Sequence, residues 1–448
     1  MKEQMNVPKL RFDEFDTQWK PMPLGEITSY LKGFAFKSED YLSSGHADSR
    51  LIRVSDLSSE SVKIDNQKVF LPKELMESST KYKLKDDDVL ITTVGSKPEL
   101  RESAVGRAIY INKAHGYLNQ NLLIMRPKGE HLSRFIFSQL NTPRYINHIT
   151  NIQRGNANQS NITVVDLFEY RVSTTSLPEQ QKIVSFLSKV DEKITLLTEK
   201  KNKLTEYKKG VMQQLFNGSF QEQDGQLTFI PPTLRFKADD GSEFPDWEER
   251  KFGDCFDFFT TNSLSRDKLS YDTGMIKNIH YGDIHTKFRS VFKPEQEIVP
   301  YITDSDDTKK IKAQSYCQNG DLVFADASED YADIGKCIEV RELGDLKLVA
   351  GLHTHLARPK EKFATGYQAY LQKSWKMRYQ IMRIAQGTKV LGISTKQLAT
   401  ISLPVPCYEE QEKIASFLIS LDSKIECLEL ELDKSKEWKK GLLQQMFV

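Results

Sequence analysis

The sequence lacks the signatures of a self-sufficient enzyme. No GxxxxGK[ST] run is present, which excludes the standard phosphate-cradling loop for ATP. No GxGxxG follows a strand-like run. No Asn-Pro-Pro-aromatic run, of the kind that positions a flipped adenine beside a methyl donor, occurs. Pro245-Asp246 with Glu249-x-Lys251 superficially matches a nuclease carboxylate–lysine set, but the residues are crowded into a connecting stretch. His353-x-His355 has strand spacing, which puts both rings on one face, but no third ligand follows at metal-like spacing. The chain therefore reads as non-catalytic, with no metal site and no cofactor of its own. Cysteine is scarce: Cys255, Cys317, Cys337, Cys407 and Cys427 form no CxxC and no even framework, as expected of reduced thiols in a cytoplasmic protein. No run of eighteen apolar residues exists and the first residues hold no apolar signal core, so neither secretion nor membrane spanning is expected. The net charge is only +1, so any nucleic-acid surface must be a local patch.

What the sequence does have is a long internal repeat. LPEQQKIVSFLSKVDEKITLLTEKKNKLTEYKKGVMQQLF, starting at Leu177, returns as YEEQEKIASFLISLDSKIECLELELDKSKEWKKGLLQQMF, starting at Tyr408, at a constant offset of 231 residues. Both copies carry a stripe in steps of four and three. In the first it is Ile183, Leu187, Val190, Ile194, Leu197, Lys201, Leu204, Lys208, Val211 and Leu215. In the second it is Ile414, Leu418, Leu421, Ile425, Leu428, Leu432, Ser435, Lys439, Leu442 and Met446. That spacing predicts two long helices with a coiled-coil seam, each about 60 Å long at 1.5 Å per residue. The first copy has eight lysines against five acids and the second six against nine, which favours pairing the unlike helices over self-pairing.

The segments before the helices correspond more faintly. Pro8-Lys9-Leu10-Arg11-Phe12 matches Pro232-Thr233-Leu234-Arg235-Phe236, and Trp19 matches Trp247. Asp88-Val89-Leu90-Ile91 matches Asp321-Leu322-Val323-Phe324, Arg126-Pro127-Lys128 matches Arg358-Pro359-Lys360, and Gly155…Ile162-Thr163 matches Gly387…Ile393-Ser394. Strand-like runs at 51–54, 89–94, 108–112, 121–125, 275–279, 322–325 and 336–340 precede helical stretches near 131–149 and 364–384, an α+β texture. Residues 217–232, polar and breaker-rich, read as a linker. The expected organisation is a domain over 1–176, a helix over 177–217, a linker and second domain over 218–407, and a second helix over 408–448.

With EQQKI and EEQEKI opening the helices, YKKGVMQQLF and WKKGLLQQMF closing them, and PKLRF and PTLRF opening the domains, the whole chain resembles the specificity subunit of a type I restriction–modification enzyme. The resemblance implies two α/β target-recognition domains, each reading half of a bipartite double-stranded DNA site. It implies an antiparallel coiled coil of the two helices, with a pseudo-two-fold axis, that spaces the domains. It also implies two docked methyltransferase subunits and motor–nuclease subunits, with S-adenosylmethionine, ATP and Mg²⁺ used by those partners. The alternative is a two-domain coiled-coil scaffold that binds proteins and not DNA, which the near-neutral charge suits.

Base edges are read by Arg, Lys, Asn and Gln, while a glycine lets backbone approach a phosphate. In the first half this selects Lys97, Arg101, Gln153, Arg154, Gly155, Asn156 and Asn158. In the second, Asn278, His280, Tyr281, Lys336, Gln386, Gly387, Thr388 and Lys389 occupy comparable places. Near the helix ends, Tyr207, Lys208, Lys209, Trp438, Lys439 and Lys440 are candidates for docking a partner subunit. Gly210 and Gly441, placed where the helical pattern continues, suggest close approach of another backbone.

Overall fold

A computed structural model describes residues 7–58, 61–63, 66–98, 104–140, 142–156, 159–223 and 226–447. The chain forms two compact units: Met1–Thr198 with Glu431–Val448, and Glu199–Leu430. The long helices, Leu177–Phe216 and Tyr408–Met446, each contribute one half to each unit.

In the first unit, Val89–Thr92 is an inner strand of an antiparallel sheet ordered Thr28–Lys32, Leu122–Pro127, Val89–Thr92, Ala108–Tyr110. Val89 and Ile91 face one apolar cluster, with Leu123, Met125 and Tyr145. Leu90 faces another, with Leu118, Ile109 and Ile124. Burial on both faces explains why this run does not alternate with polar residues. In the second unit, Leu322–Ala325 has the same place, between Thr354–Pro359 and Cys337–Val340. Leu322 and Phe324 face one cluster, Val323 and Ala325 another.

The matched charged residues are structural clasps. Asp88 is buried and accepts from Arg126 Nε at 2.6 Å, Arg126 Nη2 at 2.9 Å and the Lys85 amide at 2.8 Å. Asp321 accepts from Arg358 Nε at 2.9 Å, Nη2 at 2.8 Å and the Gln318 amide at 2.7 Å. At the first turn of each long helix a second clasp recurs. Arg11 donates to the buried Glu179 through Nε (2.7 Å) and Nη2 (2.8 Å), and Trp19 Nε1 donates to it at 3.2 Å. Arg235 and Trp247 bind Glu410 alike, at 3.0, 2.7 and 2.9 Å. The next residues, Gln180 and Gln411, accept from the Leu132 and Ala364 amides, each at 3.1 Å. The PKLRF and PTLRF openings and the EQ helix starts thus tie domain to helix.

Within each unit the helix halves run antiparallel. In the first, Lys193 meets Glu431 at 3.2 Å and Asp191 meets Lys439 at 2.6 Å, while Ile183, Leu187 and Val190 share a cluster with Leu442 and Met446. In the second, Lys201 meets Glu429 at 3.7 Å and Lys208 pairs with Asp422, beside a cluster holding Leu215, Ile414, Leu418 and Leu421. The lysines that interrupt the apolar stripe are those that meet acids.

The helical stretches near 131–149 and 364–384 are present, each as two helices, Ser133–Phe137 with Pro143–Ile152 and Tyr367–Leu371 with Trp375–Ile384. Thr142, followed by Pro143, and Ser374 accept from amides of the new first turn, so each restart has an N-cap in the sequence. Part of the supposed linker, Ser219–Gln223 with Gln226–Ile230, is a two-stranded hairpin. Its signal was the Asp224-Gly225 dipeptide, a strong hairpin cue, although those two residues lie outside the described ones.

Replacing Glu179 with alanine leaves Arg11 and Trp19 Nε1 without their acceptor. The expected loss is about 3–5 kcal/mol in the first unit, read from urea unfolding; a loss below about 1 kcal/mol would contradict the clasp.

Candidate nucleic-acid interface

Both Gly-centred segments form the same device. In the first unit Arg154–Asn156 pairs antiparallel with Gln159–Asn161, which pairs in turn with Val94–Gly95, just beyond the inner strand. In the second, Leu391–Gly392 pairs with Ala327–Ser328, just beyond Leu322–Ala325, and Gln386 and Gly392 exchange both backbone hydrogen bonds, at 2.9 and 2.7 Å. The anchoring bonds also match: the Ile162 amide donates to Thr93 O and the Ile393 amide to Asp326 O, both at 3.0 Å. Thr163 and Ser394 then cap the following helices.

Glycine is required at both turns. Gly155 has φ +117° and Gly387 φ +132°, and an added Cβ would lie 2.3 Å from Gln159 O or 2.0 Å from Val390 O. Around them, Arg154, Gln386, Thr388 and Lys389 are exposed, as is Lys97 after Val94–Gly95. Gln153 is half-buried. Asn156 lies in the hairpin strand with its side chain outside the described part, and Arg101 and Asn158 fall outside the described residues. Two supporting residues escaped sequence reasoning. Asp166 accepts from Arg154 Nη2 at 3.0 Å and so orients it. Arg378 Nη2 donates to Ala332 O at 3.1 Å and Ile334 O at 2.6 Å, holding the loop that follows Ala327–Ser328. Asp166 sits three residues past the Thr163 cap, a readable spacing; nothing in the sequence marks Arg378.

The other candidates are buried, half-buried or tied to neighbours within the second unit. Asn278 is wholly buried in Ile276–Ile279 and its Oδ1 accepts from Asn262 Nδ2 at 2.7 Å, so it cannot reach a base edge. His280 is buried, accepts from the Gly282 amide at 3.2 Å, and packs at a tilt against the half-buried Tyr281, ring centres 4.7 Å apart. Burial, then the neighbouring Arg266, holds its imidazole below the usual pKa, so it is neutral at pH 7. Lys336 Nζ is tied to His285 O at 3.0 Å and Asp333 at 2.8 Å. Strand sequences such as Ile276–Ile279 do not reveal from one sequence which polar residue points inward.

Of the helix-end candidates, Lys208 and Lys439 are spent on Asp422 and Asp191 inside their own units. Tyr207, Lys209, Trp438 and Lys440 are exposed, with Trp438 edge-on to Phe186 at 6.2 Å. An added Cβ at Gly210 or Gly441 would meet nothing within 4 Å, so no backbone of the described residues approaches there. Among the described residues no three His, Cys, Asp or Glu side chains gather to hold a metal, and no helix is long and apolar enough to cross a membrane.

The repeated frame with unlike loops matches a known pattern. A family model for the type I restriction modification DNA specificity domain matches twice, over residues 17–206 and 245–434. The chain belongs to that specificity family. Its duplicated family match coincides with the duplicated clasps and hairpins described above. The specificity subunit of the type I restriction enzyme MjaVIII from Methanocaldococcus jannaschii is 23% identical, over 95% of this chain and 91% of that one. A protein assigned as the MjaX specificity subunit of the same organism is 24% identical, over 98% and 95%. The crystal structure of the type I restriction-modification system S subunit from M. genitalium shares the fold, with a TM-score of 0.55 and 14% identity over 99% of each chain. This chain is accordingly a DNA specificity subunit of a type I restriction-modification system, and the protein-scaffold alternative is not favoured.

Gly387→Ala is expected to open the second hairpin alone. Hydrogen exchange at the Gln386 and Gly392 amides should accelerate at least tenfold while the Leu322–Ala325 amides stay protected; unchanged exchange would contradict the glycine requirement.

Proposed function

We propose that each unit reads one half of a bipartite, asymmetric DNA site through its Gly-centred hairpin, and that the paired helices set the unread gap. The observation that carries this reading is one hairpin device repeated on a common frame with different side chains. Arg154, Gln153 and Asn156 stand on the first, and Gln386, Thr388 and Lys389 on the second. A shared frame positions both readers alike, and unlike side chains at the tips specify unlike base pairs. The glycine turns let backbone come close to a phosphate.

The subunit itself is non-catalytic in this reading. Two methyltransferase subunits would dock on the helices, with Tyr207, Lys209, Trp438 and Lys440 available, and motor–nuclease subunits would join them. S-adenosylmethionine, ATP and Mg²⁺ would serve those subunits. The complex would work on chromosomal DNA in the cytoplasm.

Thr388→Ala with Lys389→Ala should relax or change one half of the methylated site and leave the other half and the gap as they were, read by methylome sequencing of a host carrying the variant. Loss of specificity in both halves together, or none in either, would count against independent reading.

A further inference from the structure

A second feature of the first unit has no part in the hairpins. A half-open cleft of about 440 Å³ lies along the edge strand Thr28–Lys32, lined among others by Ser29, Tyr30, Thr80, Lys81, Lys85 and Arg126. Arg126 is neutralised from behind by Asp88. Lys81 and Lys85 are exposed; Lys81 Nζ lies 4.8 Å over the Tyr82 ring, and neither ammonium has a carboxylate partner among the described residues. Two positive charges and the hydroxyls of Thr80 and Tyr30 therefore border one concave place, while the Ser29 hydroxyl donates to Arg126 O at 3.4 Å.

The second unit provides an internal control. Its Asp321–Arg358 clasp and Gln318 amide repeat the Asp88–Arg126 clasp and Lys85 amide bond for bond, with Asp321 and Gln318 each 233 residues after Asp88 and Lys85. At that offset Lys81 becomes Gln314 and Lys85 becomes Gln318. Ser29, opposite Arg126 in the sheet, becomes Asp257, opposite Arg358. The Arg358 guanidinium there lies 4.5 Å over the Phe259 ring. The frame is thus built with neutral amides and a carboxylate in one unit, so it does not need the two lysines in the other. The cleft of the first unit thus carries two positive charges that its counterpart in the second unit lacks.

We propose that the cleft of the first unit binds a phosphoryl group, held by Lys81 and Lys85 with the Thr80 hydroxyl as a further donor. Two sources carry that chemistry: a backbone phosphate of the DNA duplex, or the phosphate of a free nucleotide. The first source rests on the DNA-reading function, and the second does not. A duplex phosphate bound here would make the two units unequal, because only the first would gain a sequence-independent hold.

The test uses the full-length chain, wild type and Lys81→Gln/Lys85→Gln, whose side chains are those the sister unit already tolerates. Lys37→Gln/Lys73→Gln removes the same charge elsewhere on the first unit. Binding of a labelled genomic duplex is measured across a salt series, and binding of fluorescent AMP is measured with inorganic phosphate as competitor. With the duplex as source, the cleft variant lowers the slope of log K against log salt by about 1 without altering sequence preference, and AMP does not bind. With a nucleotide as source, AMP binding saturates in the wild type, phosphate competes, and affinity falls at least tenfold in the cleft variant while the salt slope holds. The proposal is overturned if neither measurement separates the cleft variant from wild type, or if the Lys37/Lys73 variant loses as much slope. Failure of the DNA-reading function shows separately, as a wild type without sequence preference.

Discussion

Everything in this molecule depends on one helix pairing with an altered copy of itself. Because the copies share a register, a contact between Asp191 and Lys439 implies its repeat-related twin, Asp422 with Lys208, and both are present, each inside its own unit. Such self-complementarity is the logic of an isologous dimer interface, here within one polypeptide. Exposed ion pairs contribute little each, about 0–1 kcal/mol, so the buried apolar stripe holds the pair and the charges choose the partner. Lys193–Glu431 shows the choice. Moved by the repeat offset, Glu431 corresponds to Lys200, so two copies of the first helix would set lysine against lysine. Divergence after duplication has therefore made the unlike pairing the favourable one.

The pairing explains why the motifs repeated within the chain lie where they do. Glu179 and Glu410 stand at the start of each helix, where a buried carboxylate also sits favourably against the helix dipole, and each fastens its domain through one arginine and one tryptophan. Asp88 and Asp321 fasten the inner sheet to its neighbouring loop. These fixed points carry the repeat, and the tips between them carry the differences. A near-neutral chain can therefore still hold local positive places, at the hairpin tips and in the Lys81–Lys85 cleft.

The frame was legible in the sequence because its forces act through repetition and periodicity. The 231-residue offset, the steps of four and three, and runs such as Val89–Thr92 each reflect one physical demand: a shared register, a buried stripe, burial on both faces. The breaks at Thr142–Pro143 and Ser374 and the pairing of Ser219–Gln223 with Gln226–Ile230 are also written in local capping and turn residues, a finer grain than the helical stretches and linker that the pattern marks. The site was less legible. Both Gly-centred turns follow from matched positions, yet Asn278 and His280 resemble exposed loop residues until tertiary packing turns them inward, and Lys336 resembles a free cation until His285 O and Asp333 hold its ammonium. Lys208 and Lys439 resemble a docking surface until the opposite helix supplies Asp422 and Asp191.

The central claim is that the paired helices act as a ruler between two independent readers. One measurement tests it most directly: insert one heptad after Glu199 and one after its repeat-related position Leu430, then map the methylated sites. Two turns add about 10 Å, roughly three base pairs, so the gap should widen by that amount with both half-sites unchanged. An unchanged gap in a folded, active complex, or altered half-sites, would contradict the account.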